Sequence, residues 1–256
     1  MNRIMAFTSR NIREMLRDPL SYIFCLGFPI VMLLIMTLVN SSIPEEAGMT
    51  VFRIDNLCGG IAFFGLTFVM LFTALSISKD RSGAFLVRMY ATPMTSSDFS
   101  FGYMLPMLMI SAAQILITFT ASFMISLITG VELSVPGMLA AFVSLLPTAV
   151  LMVAIGLLFG TLFSDKAAPG LCSVIISLGS FLGCVFFDAD RTGGVMLTVC
   201  KCLPFYYCTK TARSAVALDF SAESYLIPLV VVCACAAVIT VIAVAVFNSK
   251  MKADLS

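Results

Sequence analysis

Residues 225–247 read YLIPLVVVCACAAVITVIAVAVF, and this run decides the fold class of the chain. It contains no Asp, Glu, Lys or Arg, and it exceeds the about 20 residues that a helix needs to cross a bilayer core. It therefore predicts a transmembrane helix. Further runs that meet the same test lie at about 20–40, 57–78, 101–129, 137–163 and 168–187. The sequence thus predicts an all-α polytopic membrane protein with six transmembrane helices, forming a single domain over residues 1–256.

The composition is typical of a protein whose surface faces membrane lipid. Hydrophobic residues make up 60% and charged residues 11%, whereas soluble domains have about 45–50% and about 25%. A β-barrel is disfavoured, because barrel strands alternate polar and apolar residues in short segments. The net charge of +1 and the lack of a dense basic run argue against a nucleic-acid partner. Histidine, the commonest general base and transition-metal ligand, is absent, so we expect neither catalytic residues nor a metal site.

The Lys and Arg residues between the predicted spans set the orientation. With six spans both termini lie on one side, which carries ten of these residues, while the other side carries five. The ten are Arg3, Arg10, Arg13, Arg17, Lys79, Arg81, Arg88, Lys166, Lys250 and Lys252, and the five are Arg53, Arg191, Lys201, Lys210 and Arg213. Because short cytoplasmic loops carry an excess of Lys and Arg, both termini are predicted to be cytoplasmic.

Residues 3–18, before the first predicted span, are amphipathic. On an ideal helix the basic residues fall within about 80° of one another and the apolar residues gather opposite them. The basic side carries Arg3, Arg10, Arg13 and Arg17, and the apolar side carries Ile4, Met5, Ile12, Met15 and Leu16. Asp18-Pro19 ends the helix, because a residue before proline disfavours helix. The pattern predicts a helix in the membrane interface, with its arginines at lipid phosphates; whether it also contacts a cytoplasmic partner is open.

Segment 79–95 follows the second predicted span and is more polar. Residues 84–91 predict a short helix, which Pro93 ends. Around Arg88 this helix carries the apolar side chains Phe85, Leu86, Met89 and Tyr90. Exposed apolar residues of this kind fit either a socket in another protein or the membrane surface, and both interpretations are open.

Segment 188–224 forms the long loop on the opposite side. Its apolar stretches at 195–200 and 203–207 are too short to span, which predicts re-entrant segments that dip into the outer leaflet. The loop contains Cys200, Cys202 and Cys208. Their spacing leaves open a disulfide or a metal site. The pair Asp188-x-Asp190 is more typical of a solvated turn than of a metal site.

Polar residues inside the predicted spans are few, and such residues are the first candidates for a substrate path. Gln114 and Thr118 are the candidates here. A buried glutamine also hydrogen-bonds to neighbouring helices in many membrane proteins, so both roles are open. The shortage of charge in the spans favours an amphipathic or lipid-like cargo over a small ion.

The order and spacing of these features resemble the type-2 permease family of ATP-binding-cassette transporters, over nearly the whole chain. The matching residues are Arg17-Asp18-Pro19, Asp80-Arg81 through Arg88, Ala91-Thr92-Pro93, and Pro204, Tyr207 and Ala212-Arg213 before the last span. Val87 departs from the family pattern, since members often have a polar or charged residue before the arginine that matches Arg88.

This resemblance implies the membrane subunit of a bacterial exporter of drugs, antibiotics, lipids or glycans, in the plasma (inner) membrane. It implies that 79–95 is the coupling helix and sits in a groove of a separate cassette ATPase. The coupling residues would be Asp80, Arg81, Gly83, Phe85, Arg88 and Pro93. Two membrane subunits, as a homodimer or a heterodimer, would pair with two ATPase subunits. The sequence has no G-x-x-x-x-G-K-[ST] loop, so ATP and Mg²⁺ are expected to bind the partner.

This sequence lacks the residues that two other classes of membrane protein would need. A secondary transporter or channel that works without ATP normally carries Asp, Glu or Arg within its spans, and the predicted spans have essentially none. An intramembrane enzyme would need paired carboxylates in the spans or a G-x-S-x-G nucleophile. Neither occurs, so both classes are disfavoured.

Overall fold

The computed structural model of this protein describes residues 2–19, 23–44, 50–83 and 96–253. Helices make up 85% of it, and the described residues contain no β-strand. The helices are α1 (Asn2–Met15), α2 (Ile23–Ser42), α3 (Ile54–Ser82), α4 (Ser96–Thr129), α5 (Val135–Leu162), α6 (Ala168–Leu182), α7 (Ala189–Thr192), α8 (Gly194–Lys201), α9 (Pro204–Val216) and α10 (Ile227–Ala253). The first turn of α2, Ile23–Gly27, is π-helical, and a π-helical turn at Ala222–Leu226 leads into α10. The predicted all-α class is confirmed.

Within the described ranges, five helices are long and apolar enough to cross a membrane. They are α2, α3, α4, α5 and α10 with its π-helical turn, and they make the chain a multi-pass membrane protein. The predicted span at 168–187 corresponds to α6, which has 15 residues. Its length of about 22 Å is less than the about 30 Å of a bilayer core. The count of six spans therefore stays a prediction.

α6 ends at a close contact with α3. A Cβ atom on Gly183 would lie 2.9 Å from the Cε1 atom of Phe63 and 2.2 Å from the carbonyl oxygen of Gly179, so this position has room only for glycine. The next residue, Cys184, has a φ of 57°, which turns the chain out of the helix. The apolar residues up to 187 continue past this turn without extending the helix.

The centre of the bundle is the pair α3 and α5. Their backbones approach closely at two glycines of α5, where a Cβ atom on Gly156 would lie 2.5 Å from the Met70 carbonyl oxygen and one on Gly160 would lie 2.6 Å from that of Ala74. Small residues allow this kind of approach between membrane helices. α4 packs beside α3 and α10 beside α5, while few residues of α2 and α10 are fully buried.

Each end of the bundle carries helices that are too short to span. At one end, which we call the α1 end, α1 crosses the start of α4 near the last turns of α3 and α5. At the other, the α9 end, α9 lies beside the first turns of α3 and α5. A Cβ atom on Gly59 would lie 3.1 Å from the Arg213 nitrogen, and one on Gly137 would lie 2.2 Å from the Val216 carbonyl oxygen. The polar clusters of the protein lie at these two ends.

Candidate functional site

The α1 end holds a hydrogen-bond network centred on Asp80, in the last turn of α3. The Oδ2 atom of Asp80 accepts a hydrogen bond from Arg10 Nη1 at 3.1 Å and another from Tyr103 Oη at 2.7 Å. Arg10 belongs to α1 and Tyr103 to α4, so one carboxylate joins three helices. The Asp80 side chain is only 12% exposed. Hydrogen bonds to an ionised group are stronger than those between neutral groups, so Asp80 stabilises the contact of α3 with α1 and α4.

Arg10 has partners on its own helix as well. Its Nη2 atom lies 2.7 Å from Glu14 Oε2, one turn further along α1, and its guanidinium carbon lies 5.8 Å from the centroid of the Phe7 ring. Burial alone would lower the pKa of Arg10, but the hydrogen bond and the charge of Asp80 outweigh burial and raise the pKa above its usual value. Arg10 is therefore a permanent cation held against the end of α3.

Phe7 anchors α1 on α4. Its ring packs edge-on against those of Phe99 and Tyr103, with centroids 5.3 and 5.0 Å away. Gly102 provides the room, since a Cβ atom there would lie 2.4 Å from Phe7 Cδ1. Asn11 Nδ2 also donates to the Gly102 carbonyl oxygen at 3.0 Å. α1 is therefore packed into the bundle by an aromatic cluster and a buried hydrogen bond.

The remaining sides of α1 face outward. Met5 is 64% and Leu16 is 62% exposed, and Arg13 and Arg17 are exposed beside them. An apolar strip next to a basic strip suits a helix that lies in a membrane interface. α1 ends at Met15, and the predicted stop at Asp18-Pro19 follows it. The interfacial position of α1 stays a prediction, and its sides fit that position.

Arg81, the neighbour of Asp80, ties α3 to α5. Its Nη1 atom donates to the carbonyl oxygens of Gly160, at 3.3 Å, and of Thr161. These carbonyls lie at the C-terminal end of α5, where the helix dipole favours a cation. Gly83 follows α3, and its backbone N–H donates to the Lys79 carbonyl oxygen at 3.1 Å. Consecutive residues of α3 therefore contact α1, α4 and α5.

The structure brings together three of the residues predicted to couple the protein to an ATPase: Asp80, Arg81 and Gly83. The other three, Phe85, Arg88 and Pro93, and the predicted helix at 84–91 lie outside the described residues. The sequence did not single out Tyr103 or Phe7. Phe7 carried a signal, because it falls about 60° from Arg10 on the helical wheel. An apolar ring on the basic side of a helix needs a protein partner.

Arg213 is the central residue of the α9 end. Its Nε atom donates to the Asn56 carbonyl oxygen at 2.9 Å, and its Nη2 atom donates to that of Val185 at 3.1 Å. These bonds connect α9 to the start of α3 and to the segment after α6. Burial lowers the pKa of Arg213 from its usual value, but a guanidinium still keeps its proton at neutral pH. The predicted site residue is thus a cation whose hydrogen bonds go to neutral carbonyl oxygens, with the charges of Asp188 and Asp190 acting from a longer distance.

A second polar group lies beside Arg213. Tyr206 Oη donates to Asp190 Oδ1 at 2.7 Å and accepts from Lys210 Nζ at 3.1 Å, and Lys210 Nζ lies 3.5 Å from Asp190 Oδ2. Burial raises the pKa of Tyr206, and the hydrogen bond to Asp190 raises it further. The phenol therefore stays protonated. Of the other predicted residues, Pro204 is the first residue of α9 and Tyr207 Oη donates to the Lys201 carbonyl oxygen at 3.1 Å.

Gln114 and Thr118 lie fully buried in α4, facing α3. Gln114 Nε2 donates to the Ala62 carbonyl oxygen at 3.4 Å and to Thr118 Oγ1 at 3.1 Å. A Cβ atom on Gly65 would lie 2.0 Å from Gln114 Nε2, so α3 leaves a notch for this amide. The Oε1 atom of Gln114 has no hydrogen-bond partner. The contacts support a helix–helix role, and a place on a substrate path stays a prediction.

The cysteines do not form a disulfide. All nine are free thiols, with Cys200 and Cys208 buried and Cys202 exposed. Across the part of the chain that the structure describes, no group of three or more His, Cys, Asp or Glu side chains lies close enough together to hold a metal ion. Asp190 is engaged by Tyr206 and Lys210 as described above.

The fold and the clusters at its two ends define a class, a multi-pass membrane protein whose polar contacts gather at both ends of a helical bundle. The family model described as ABC-2 type transporter matches residues 2–217, from α1 to the end of α9. This chain therefore belongs to the ABC-2 type transporter family, the membrane domains of ABC transporters. Such domains are transport subunits, generally without enzymatic activity, and typically partner with an ATPase subunit. No curated protein matches the chain.

Proposed function

We propose that this chain is the membrane subunit of an ATP-driven exporter that moves an amphipathic or lipid-like molecule out of a bacterial cell. It lies in the plasma membrane with both termini in the cytoplasm, so that the α1 end faces the cytoplasm and the α9 end faces outward. A separate cassette ATPase binds ATP and Mg²⁺ and supplies the energy. Two membrane subunits, identical or paralogous, pair with two ATPase subunits, and surrounding lipids contact α1.

The observation that carries this proposal is the junction at the end of α3. Asp80 bonds to α1 and α4, and Arg81 bonds to α5, directly before the segment that is predicted to meet the ATPase. A displacement of that segment acts first on the last turn of α3. Because Asp80 and Arg81 tie this turn to its neighbours, the displacement reaches four helices together, three of which are candidate spans.

The mechanism that follows is alternating access driven by the partner. ATP closes the two cassettes, and segment 79–95 moves with the cassette that holds it. The four connected helices shift as a packed group, and a pathway between two copies opens outward. Such a change requires only that the closed cassettes bind one arrangement of the helices better than the other.

The apolar spans support an amphipathic cargo. Each candidate span contains an 18-residue stretch with at most two Asp, Glu, Lys or Arg residues. Proton- and sodium-coupled carriers place ionisable groups in their spans, and this chain offers hydroxyls and one glutamine, Gln114, instead. The seventeen methionines of the chain add adaptable apolar surface.

Arg88→Glu is the variant that tests the coupling segment. The chain and its copurified ATPase are reconstituted in vesicles, and transport of a fluorescent phospholipid is measured beside vanadate-sensitive ATP hydrolysis. We expect ATP hydrolysis to continue while transport per ATP falls about tenfold, since the charge reversal places a carboxylate in the contact with the cassette. Lys166→Glu is the matched control, because Lys166 is exposed in the turn before α6 and lies outside the coupling segment.

Two results would contradict the proposal in different ways. If Arg88→Glu transports as well as the wild type, residues 79–95 do not couple the chain to the ATPase. If the purified chain moves the lipid probe with no ATPase and with an ion gradient as the only energy source, the chain is a secondary transporter. In either case the membrane yield of each variant shows whether it has inserted.

A further inference from the structure

A cavity of about 270 Å³ opens at the α9 end. It lies between the start of α3, the segment after α6 and one face of α9. Its polar lining includes Asn56, Asp188, Asp190, Tyr206, Thr209 and Arg213. The α9 residues lie three and four positions apart along the helix, which places them on one face. Neither the coupling network nor Gln114 contributes to this cavity.

Arg213 brings a positive charge with unused N–H donors to the cavity. Its two hydrogen bonds go to the carbonyl oxygens of Asn56 and Val185, and among the described residues no carboxylate lies within ion-pair distance of it. A guanidinium has more N–H donors than these two carbonyls use. The charges of Asp188 and Asp190 act on Arg213 from a longer distance, while its direct hydrogen bonds leave donors unused. Unused guanidinium donors suit the oxygens of a phosphate in particular.

Thr209 adds a donor that lacks an acceptor. Its side chain is 1% exposed and its Oγ1 atom has no hydrogen-bond partner. Buried hydroxyls are nearly always bonded, because an unsatisfied one is unfavourable by about 1–3 kcal/mol. Thr209 stands one turn before Arg213 on α9 and lines the same cavity. An acceptor oxygen beside Thr209 would satisfy this hydroxyl, and Arg213 lies one turn further along the same face of α9.

The cavity also carries negative charge. Asp188 and Asp190 line it, and Asp190 Oδ2 lies 3.5 Å from Lys210 Nζ. Together with Lys210 and Arg213, the cavity thus holds two carboxylates and two cations. A simple anion would meet the carboxylates unfavourably. A ligand that carries both a phosphate and an amine offers a partner to the cations and to the carboxylates of the cavity.

We propose that this cavity binds the zwitterionic head group of a phospholipid, with phosphate oxygens at Arg213 and Thr209 and the ammonium group facing Asp188 and Asp190. Its volume of about 270 Å³ lies below the about 300–1,000 Å³ of sites for drug-sized ligands. The cavity therefore takes a head group, while acyl chains stay in the lipid. That such a lipid is also the exported cargo rests on the exporter proposal, whereas binding itself does not.

Thr209→Val tests the site without removing any bond within the protein. The purified chain in neutral detergent is titrated calorimetrically with O-phosphoethanolamine. We expect this variant to bind about tenfold more weakly, as befits a lost hydrogen bond to a charged group, and to melt at or above the temperature of the wild type. The matched control is Thr211→Val, since Thr211 is equally buried on α9 and donates to the Tyr207 carbonyl oxygen. It should bind within twofold of the wild type.

Competing probes separate the parts of the proposal. Inorganic phosphate and ethanolamine should each bind at least tenfold more weakly than O-phosphoethanolamine, and phosphatidylethanolamine nanodiscs should compete with it where phosphatidylglycerol nanodiscs do not. Equal binding by inorganic phosphate would show that the ligand need not be zwitterionic. Failure of the phosphatidylethanolamine nanodiscs to compete would show that the ligand is not a lipid head group. Wild-type binding by Thr209→Val would overturn the site. Arg88→Glu should bind normally, so a failure of coupling and a failure of this site are distinguishable.

Discussion

Asp80 accepts hydrogen bonds from two other helices through a single oxygen atom, which makes it the residue whose change should disturb the α1 end most. Asp80→Asn keeps the shape of the side chain but removes the charge that faces Arg10. We expect the free energy of unfolding to fall by about 1–3 kcal/mol, as for lost hydrogen bonds to charged groups. Thermal unfolding of the detergent-solubilised chain measures this effect.

Tyr103→Phe supplies the partner for a double-mutant cycle. It removes one hydroxyl and keeps the ring that packs on Phe7, so alone it should reduce the free energy of unfolding by about 1.5–3 kcal/mol, as for a hydrogen bond to a charged group. Because both side chains belong to one network, the combined loss should be smaller than the sum of the single losses. Strictly additive losses would show that the two residues act independently and that Asp80 does not join α4 to α1.

Single residues also show how far the sequence could predict this site. Asp80 and Arg81 were found because charges after an apolar run, in the order of a known family, are visible in the sequence. Tyr103 lies inside an apolar run, and its role depends on the distance between two helices that are separated along the chain. Thr209 was missed for a similar reason, since the lack of a hydrogen-bond partner exists only in the folded structure.

At the scale of elements, α1 is defined by its three sides. One side packs on α4 through Phe7 and Asn11, another exposes Met5 and Leu16, and the third exposes Arg13 and Arg17. The amphipathic pattern predicted the helix, but it placed a single apolar side opposite the arginines. The packed side is turned toward Phe7 because α4 offers a notch at Gly102, and a helical wheel contains no information about the neighbouring helix.

Gly102→Ala tests whether this notch holds α1. The new methyl group would lie 2.4 Å from Phe7 Cδ1, and overpacking of this kind is unfavourable by about 1–3 kcal/mol. We expect a lower melting temperature and easier proteolysis before residue 19. Phe7→Ala in the same chain should restore part of the loss, because it vacates the space. Gly170→Ala is the control, since nothing lies within 4 Å of a Cβ atom there, and it should be neutral or stabilising.

The short helix α6 shows that a hydropathy pattern can locate an apolar run without locating the end of its helix. Hydropathy predicted a span at 168–187, and the residues are indeed apolar to the end of that run. The helix stops at Leu182, where Gly183 packs closely on Phe63 and Cys184 takes a positive φ. Apolar composition shows which residues lipid tolerates, whereas the helix end follows from the backbone turn at Cys184.

At the scale of the whole molecule, the two ends differ in the elements that they carry. The α1 end has the amphipathic helix and the junction before the predicted coupling segment, while the α9 end has the short helices α7, α8 and α9 with their cavity. The exporter proposal requires the first end to face the cytoplasm, where ATP is available, and the second to face outward. One experiment that measures the orientation of the chain therefore tests both requirements.

Labelling with a membrane-impermeant maleimide measures this orientation. Cys202 is exposed at the α9 end, so intact cells at pH 8 should be labelled there. Cys202→Ser should abolish the signal, because the other exposed thiol, Cys233, lies within the candidate span α10. Cys208 should stay unlabelled in either case, because burial raises the pKa of its thiol to about 12 and leaves little thiolate to react. In the Cys202→Ser background, Ser82→Cys places a thiol at an exposed position at the end of α3 and should react only after the membrane is permeabilised. Labelling of Ser82→Cys in intact cells would place residues next to the coupling segment outside the cell, where no cassette ATPase could reach them.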